Sequence, residues 1–150
     1  MKDSAKAGLE QLLTYRLHQL NKLTERGISE RYQAKLGVSL PEARVIASVG
    51  SFGPFSIMEL ARHANLDKSQ ASRAAEGLIR QGLVKRERNV DDGRGVLVSL
   101  TPEGRALFRK VMPIARKWNS DMFDCLDERE KLAFSRALDK IIDTVAAQSK

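Results

Sequence analysis

The sequence is short of the residues that build cross-linked, metal-bound or membrane-spanning scaffolds. Cys125 is the single cysteine in 150 residues, so no internal disulfide can form. That usage, with a charged opening MKDSAKAG in place of an apolar targeting segment, points to a reducing, cytoplasmic setting. The two histidines, His18 and His63, have no cysteine or carboxylate at metal-ligand spacing, so neither a metal site nor a cofactor is expected. There is no glycine-rich phosphate loop, no Ser-His-Asp order and no isolated carboxylate pair, which argues against an enzyme. No apolar run approaches the roughly 20 residues that span a bilayer, so no membrane partner is expected. Repeats and low-complexity segments are absent as well.

What is present in excess is positive charge. Lys and Arg number 26 against 19 Asp and Glu, a net +7. The excess is local: residues 82–119 hold nine basic and four acidic side chains, whereas residues 120–150 hold five and seven. A basic segment of that kind favours nucleic acid or another anionic surface as partner. A chain of this length buries one sizeable core, so one domain or two lobes sharing helices is expected.

Apolar residues Leu9, Leu12, Leu13, Leu17, Leu20 and Leu23 recur at three and four, predicting a long amphipathic helix over 9–35 that Gly27 is able to interrupt. Ser39-Leu40-Pro41-Glu42 reads as a helix start, and Gly50-Ser51-Phe52-Gly53-Pro54 as its end near Val49. Ser56 with Glu59, and Asp67 with Gln70, mark the caps of two short helices separated by about four residues, a helix-turn-helix pattern. Gly82 suits the left-handed closing residue of the second. The β-prone runs 83–88 and 96–100 flank Asn89-Val90-Asp91-Asp92-Gly93-Arg94-Gly95, whose Asp-Gly step signals a hairpin. A hairpin directly after a helix-turn-helix is a wing. Thr101-Pro102 opens a helix running to about Leu126 that Pro113 should kink, and Asp127 caps a last helix to about Ala147 with Leu132, Phe134, Leu138, Ile141, Ile142 and Val145 on one side. The fold expected is mainly α with a small β-hairpin.

In the second helix of the motif, Ala71, Ala75, Leu78 and Ile79 share an apolar face, leaving Lys68, Ser69, Gln70, Ser72 and Arg73 as a polar end. Gln pairs with adenine in two places, Arg with guanine O6 and N7, and Ser with phosphate or a base, so this set is competent to read duplex DNA in a major groove. The plain alternative for each is a solvated surface.

The stretch LDKSQASRAAEGLIRQGLVKRERNVDDGRGVLVSLTPEG, residues 66–104, resembles the winged-helix core of the MarR-type transcriptional regulators. The resemblance rests on the serine-bearing recognition helix, Gly82-Leu83-Val84-Lys85-Arg86 entering the first wing strand, Asp92-Gly93-Arg94 at the wing tip and Leu100-Thr101-Pro102-Glu103-Gly104 leaving it. It implies a homodimer that binds pseudo-palindromic double-stranded DNA, usually to repress, and that releases it when a small molecule binds. It further implies that residues 1–38 and 101–150 form a helical dimerisation region around a winged helix-turn-helix at 39–100. By the same resemblance Arg94 enters the minor groove and Asp92 orients it. Many members carry a second arginine where Gly93 stands, which removes one basic contact; Arg86 and Arg88 on the strand below are candidates to replace it.

Effectors of such regulators are often aromatic or phenolic acids, bound between the dimerisation helices and the winged core. Tyr15, Arg16, His18, Arg44, Met58 and Trp118 are the candidates here: Arg16 or Arg44 to clamp a carboxylate, Met58 and Trp118 as apolar wall, although Met and Trp are commonly core residues. Cys125 invites a redox reading because some relatives sense peroxides, but its place at the end of a long helix among Asp121, Asp124 and Asp127 favours passive burial. The competing functional class is a ligand-independent or architectural winged-helix DNA-binding protein.

Overall fold

Five of the six described α-helices start on a short polar side chain that replaces a missing backbone partner. The Ser39 Oγ accepts from the Glu42 N–H at 3.3 Å and the Ser56 Oγ from the Glu59 N–H at 3.2 Å. The Asp67 Oδ1 accepts from the Gln70 N–H at 2.7 Å, and the Thr101 Oγ1 from the Gly104 N–H at 3.0 Å. The Asp127 Oδ1 accepts from the Glu130 N–H at 2.8 Å. Each such bond satisfies one of the orphan donors of a first helical turn.

The computed structural model describes residues 8–89 and 95–149. Among them a single 3-10 turn, Leu9–Gln11, precedes α1 (Leu13–Leu36), α2 (Leu40–Phe52), α3 (Ile57–His63), α4 (Lys68–Arg80), β1 (Val84–Asn89), β2 (Gly95–Leu100), α5 (Pro102–Phe123) and α6 (Glu128–Gln148). β1 and β2 pair antiparallel in a register running from Val84 opposite Leu100 to Asn89 opposite Gly95. Phe55 adds a bridge to the far side of β2, its N–H donating to the Val98 carbonyl at 3.1 Å and its carbonyl accepting from the Val98 N–H at 2.6 Å.

The chain divides into two units, Met1–Arg116 and Lys117–Lys150. The core of the first is made by Val45 and Ile46 of α2, Leu60 of α3, Leu78 of α4, Val84 and Val98 of the hairpin, and Val111 of α5, all essentially inaccessible. α4 packs on both α2 and α3 through Ala71, Ala74, Ala75 and Leu78, whose small side chains allow close approach. The hairpin is tied to the start of α5: the Thr101 hydroxyl donates to the Gly82 carbonyl at 2.7 Å, and the Thr101 N–H to the Leu83 carbonyl at 3.1 Å. Gly104 lies so close to Leu83 that a methyl group there would overlap the Leu83 carbonyl oxygen. His63 stacks on Phe55 with ring centroids 4.6 Å apart, which gives that histidine a packing role. In the second unit, Phe123 and Phe134 meet at 5.7 Å and Lys117 pairs with Asp121 at 2.8 Å.

Three helices differ from expectation. α1 runs through Gly27 without a break. α2 continues past Val49 to Phe52, and Gly50, which the sequence suggests as a stop, sits inside the helix where any side chain would collide with the Phe108 ring of α5. Gly82 does adopt the left-handed conformation, at φ 74. α5 passes through Pro113, which has no N–H to donate to the carbonyl four residues earlier, and ends at Phe123 rather than near Leu126. Cys125 therefore falls in the turn before α6 and is exposed, not buried, with its Sγ 3.8 Å from the Met122 carbonyl oxygen.

Candidate nucleic-acid interface

The second helix of the motif, α4, has one side buried and one side open. Its start is closed by a full capping box: besides the Asp67–Gln70 bond, the Gln70 Oε1 accepts from the Asp67 N–H at 3.1 Å. That arrangement stiffens the first turn and fixes Gln70 as a structural as well as a candidate reading residue. Lys68, Ser69 and Arg73 are exposed, and Gln70 and Ser72 are partly so. The polar end expected from the sequence is thus one contiguous surface at the N-terminal half of α4, where a helix presents backbone N–H groups and positive dipole to an anion.

Beside it runs a groove of about 530 Å³ between the start of α2 and the length of α4, lined by Ser39, Pro41, Glu42, Gln70, Arg73, Ala74, Gly77, Arg80 and Gln81. Its floor is braced by Glu42: one carboxylate oxygen accepts from the Ser39 hydroxyl at 2.8 Å and the other from the Gln81 Nε2 at 2.9 Å. Glu42 so ties the beginning of α2 to the end of α4. The sequence showed Glu42 only as a residue in a capping pattern; its bond to Gln81 depends on the fold.

On β1, Lys85 pairs with Glu87 at 2.8 Å, and this hydrogen bond and charge hold the Glu87 carboxyl below the usual carboxylate range. Arg86 pairs with Glu76 of α4, and Arg88 is exposed. Asp92 and Arg94, the expected wing-tip pair, lie outside the described residues.

The six effector candidates are not gathered into either of the two cavities described. Tyr15, Arg16 and His18 are exposed on α1, and Met58 on α3 is 73% exposed rather than core. Arg44 is bound to Glu25 of α1 at 3.1 Å. Trp118 belongs to the second unit and is partly buried. That unit has a cavity of its own, of about 430 Å³, lined by Asn119, Ser120, Phe123, Lys131, Phe134, Ser135 and Leu138, which sequence spacing gave no reason to group. Among the described residues no cluster of His, Cys, Asp or Glu is placed to hold a metal ion, and no helix is long and apolar enough to cross a membrane.

The helix-turn-helix followed by a hairpin, with an open polar end on its second helix, recurs in known proteins. The MarR family pattern matches residues 36–95. A crystal structure of a MarR family transcriptional regulator from Silicibacter pomeroyi superposes with a TM-score of 0.79 at 30% identity, covering 94% of each chain. The chain belongs to the MarR family. Its winged helix-turn-helix is the fold of that family, whose members are non-enzymatic, and the chain is a DNA-binding transcriptional regulator. Among MarR relatives, the HTH-type transcriptional regulator BilQ of Clostridium symbiosum is 29% identical over 75% of this chain and 78% of its own. The Mycobacterium tuberculosis MarR family protein Rv2887, solved in complex with salicylic acid, is 26% identical with a TM-score of 0.70, covering 91% of this chain and 98% of its own.

Proposed function

We propose that this regulator is a cytoplasmic homodimeric repressor that seats α4 and the wing of each subunit on one half of an inverted repeat and leaves DNA when a small aromatic carboxylate binds. The observation that carries the DNA side of this reading is α4 itself: Ala71, Ala74, Ala75 and Leu78 are buried while Lys68, Ser69 and Arg73 stand exposed at its capped end. Arg73, Gln70 and Ser69 read base edges; Lys68 and Ser72 hold phosphates. Arg88 approaches the backbone from the wing strand, and by family resemblance Arg94, oriented by Asp92, enters the minor groove.

Dimerisation is supported by apolar side chains that stand exposed on the first and last helices. On α1 Leu13, Leu17, Leu20 and Leu23 are 39–58% exposed, and on α6 Leu132, Ile141, Ile142 and Val145 are 50–59% exposed. Stripes of that size on helices at residues 1–38 and 101–150 are interfaces rather than solvent faces, and leave 39–100 to meet DNA. Repression and an aromatic acid effector are supported by the relative Rv2887, which is called an HTH-type transcriptional repressor and was solved with salicylic acid. With Arg44 occupied by Glu25, Arg16 is the stronger of the two candidate clamps, with Tyr15 and His18 on the same helix as candidate neighbours.

The test is a duplex selected by the protein from a random pool, followed by titration with salicylate. The reading expects an inverted repeat, binding at least about 1,000-fold tighter than to a scrambled duplex, and release by the acid. Equal affinity for both duplexes at 0.15 M salt overturns it. A panel of aromatic acids that moves neither melting temperature nor DNA affinity would favour a ligand-independent architectural protein.

A further inference from the structure

One acidic side chain stands on the face of α4 that the proposed reading turns toward DNA. Glu76 follows Ser69 by seven residues, Ser72 by four and Arg73 by three, so these side chains share one side of the helix. Its carboxylate pairs with the guanidinium of Arg86 on β1, across the turn at 81–83. Arg86 stands opposite Val98 in the hairpin, so this pair joins the recognition helix to the strand that carries the wing. Both partners are about half exposed, at 46% and 52% of their side chains.

We propose that Glu76 is a positioning residue for DNA recognition, which holds Arg86 so that α4 and the wing keep one mutual orientation, and which withholds the Arg86 charge from the phosphate backbone. The inference rests on the placement of α4 and the wing on DNA given above. A half-exposed ion pair is weak in itself. What decides between partners is the result of breaking the pair on DNA: moving Arg86 to a phosphate leaves a carboxylate unpaired on the DNA face, with like charge opposite it. Staying paired avoids that repulsion. Two consequences follow. Arg86 does not count among the cations that release counterions, and the family's missing second wing-tip arginine, Gly93 here, is not compensated by it.

The experiment measures dissociation constants over a salt series for the wild type, Glu76→Gln, Arg86→Ala, Arg86→Lys and the Glu76→Gln/Arg86→Ala pair, each on the selected duplex and on its scrambled version. Melting temperatures confirm that each variant is folded. Glu76→Gln frees the arginine, so the slope of log K against log salt should steepen by about 0.9 and the scrambled duplex should bind about five-fold tighter at 0.15 M salt. That gain should vanish in the double variant. Arg86→Ala uncovers the Glu76 carboxylate, so it should weaken binding to both duplexes and narrow the preference for the selected one; the double variant should keep the wild-type slope, and Arg86→Lys should restore part of the preference. A slope about one below wild type in the Glu76→Gln/Arg86→Ala protein makes Arg86 a direct phosphate contact and overturns the proposal. A Glu76→Gln protein indistinguishable from wild type on both duplexes overturns it too. Failure of the DNA reading itself looks different: the wild type would then show no preference between the two duplexes.

Discussion

α4 and α6 both open on an aspartate capping box, Asp67 with Gln70 and Asp127 with Glu130, and both are amphipathic, yet they treat their apolar sides in opposite ways. α4 buries Ala71, Ala74, Ala75 and Leu78 within its own chain, whereas no residue of α6 is buried. The difference does not lie in local sequence signals, which are equally strong in both. It lies in where the complement of each apolar side is found: for α4 on α2 and α3, for α6, in the dimer proposed above, on a second subunit. An amphipathic stripe on a helix in isolation says that something covers it, and only the rest of the fold says whether that cover is internal.

This contrast breaks first on α6. Ile142→Asp places a charge in the stripe without disturbing any buried residue of the chain, so the subunit should fold while the dimer dissociates. With bivalent binding lost, affinity for an inverted repeat should fall by about 100-fold or more. Sedimentation equilibrium checks the first statement and fluorescence anisotropy the second; a dimer of unchanged strength removes α6 from the interface. On α4, Leu78→Ala should act on the subunit itself, costing about 2–5 kcal/mol in chemical denaturation because Leu78 is wholly buried. Asp67→Ala removes the cap that begins the recognition helix and should cost about 0.5–2 kcal/mol, with a matching loss in DNA affinity; the equivalent Asp127→Ala change should leave DNA contacts intact and affect stability alone.

The smallest effect concerns α1, whose inner end joins the core at Tyr32. Burial pushes the Tyr32 hydroxyl above the usual tyrosine value of about 10, and the nearby Arg44 offsets part of this. The folded state therefore keeps this proton more tightly than the unfolded chain. The stability linked to it is complete below about pH 10 and declines as pH rises further. Tyr32→Phe should flatten the fall of melting temperature above about pH 10 relative to wild type, and an unchanged pH profile would place Tyr32 in contact with solvent.

Much of this architecture was legible because it depends on neighbours in sequence. Ser39, Ser56, Asp67, Thr101 and Asp127 each cap the residue three positions on, and the hydroxyl or carboxylate with its partner N–H is readable from spacing alone. The errors arose where a distant partner decides. Gly50 resembles a helix stop until Phe108 of α5 is laid across it. Cys125 moved from a helix end to an exposed turn when α5 stopped at Phe123. On the candidate interface the polar end of α4 was foreseen, while the Glu42–Gln81 brace and the Glu76–Arg86 pair were not, since each joins residues of opposite elements across the fold.

The central claim is that two copies of this chain use α4 and the wing to recognise an inverted repeat, and a single titration tests it most directly. Fluorescence anisotropy of the selected duplex against its scrambled version, at several salt concentrations and with stoichiometry fixed by titration above Kd, reports specificity, charge and subunit number together. The account predicts two chains per duplex, a preference of at least about 1,000-fold at 0.15 M salt and a linear fall of log K with log salt. One chain per duplex, or equal affinity for the two duplexes, would contradict it.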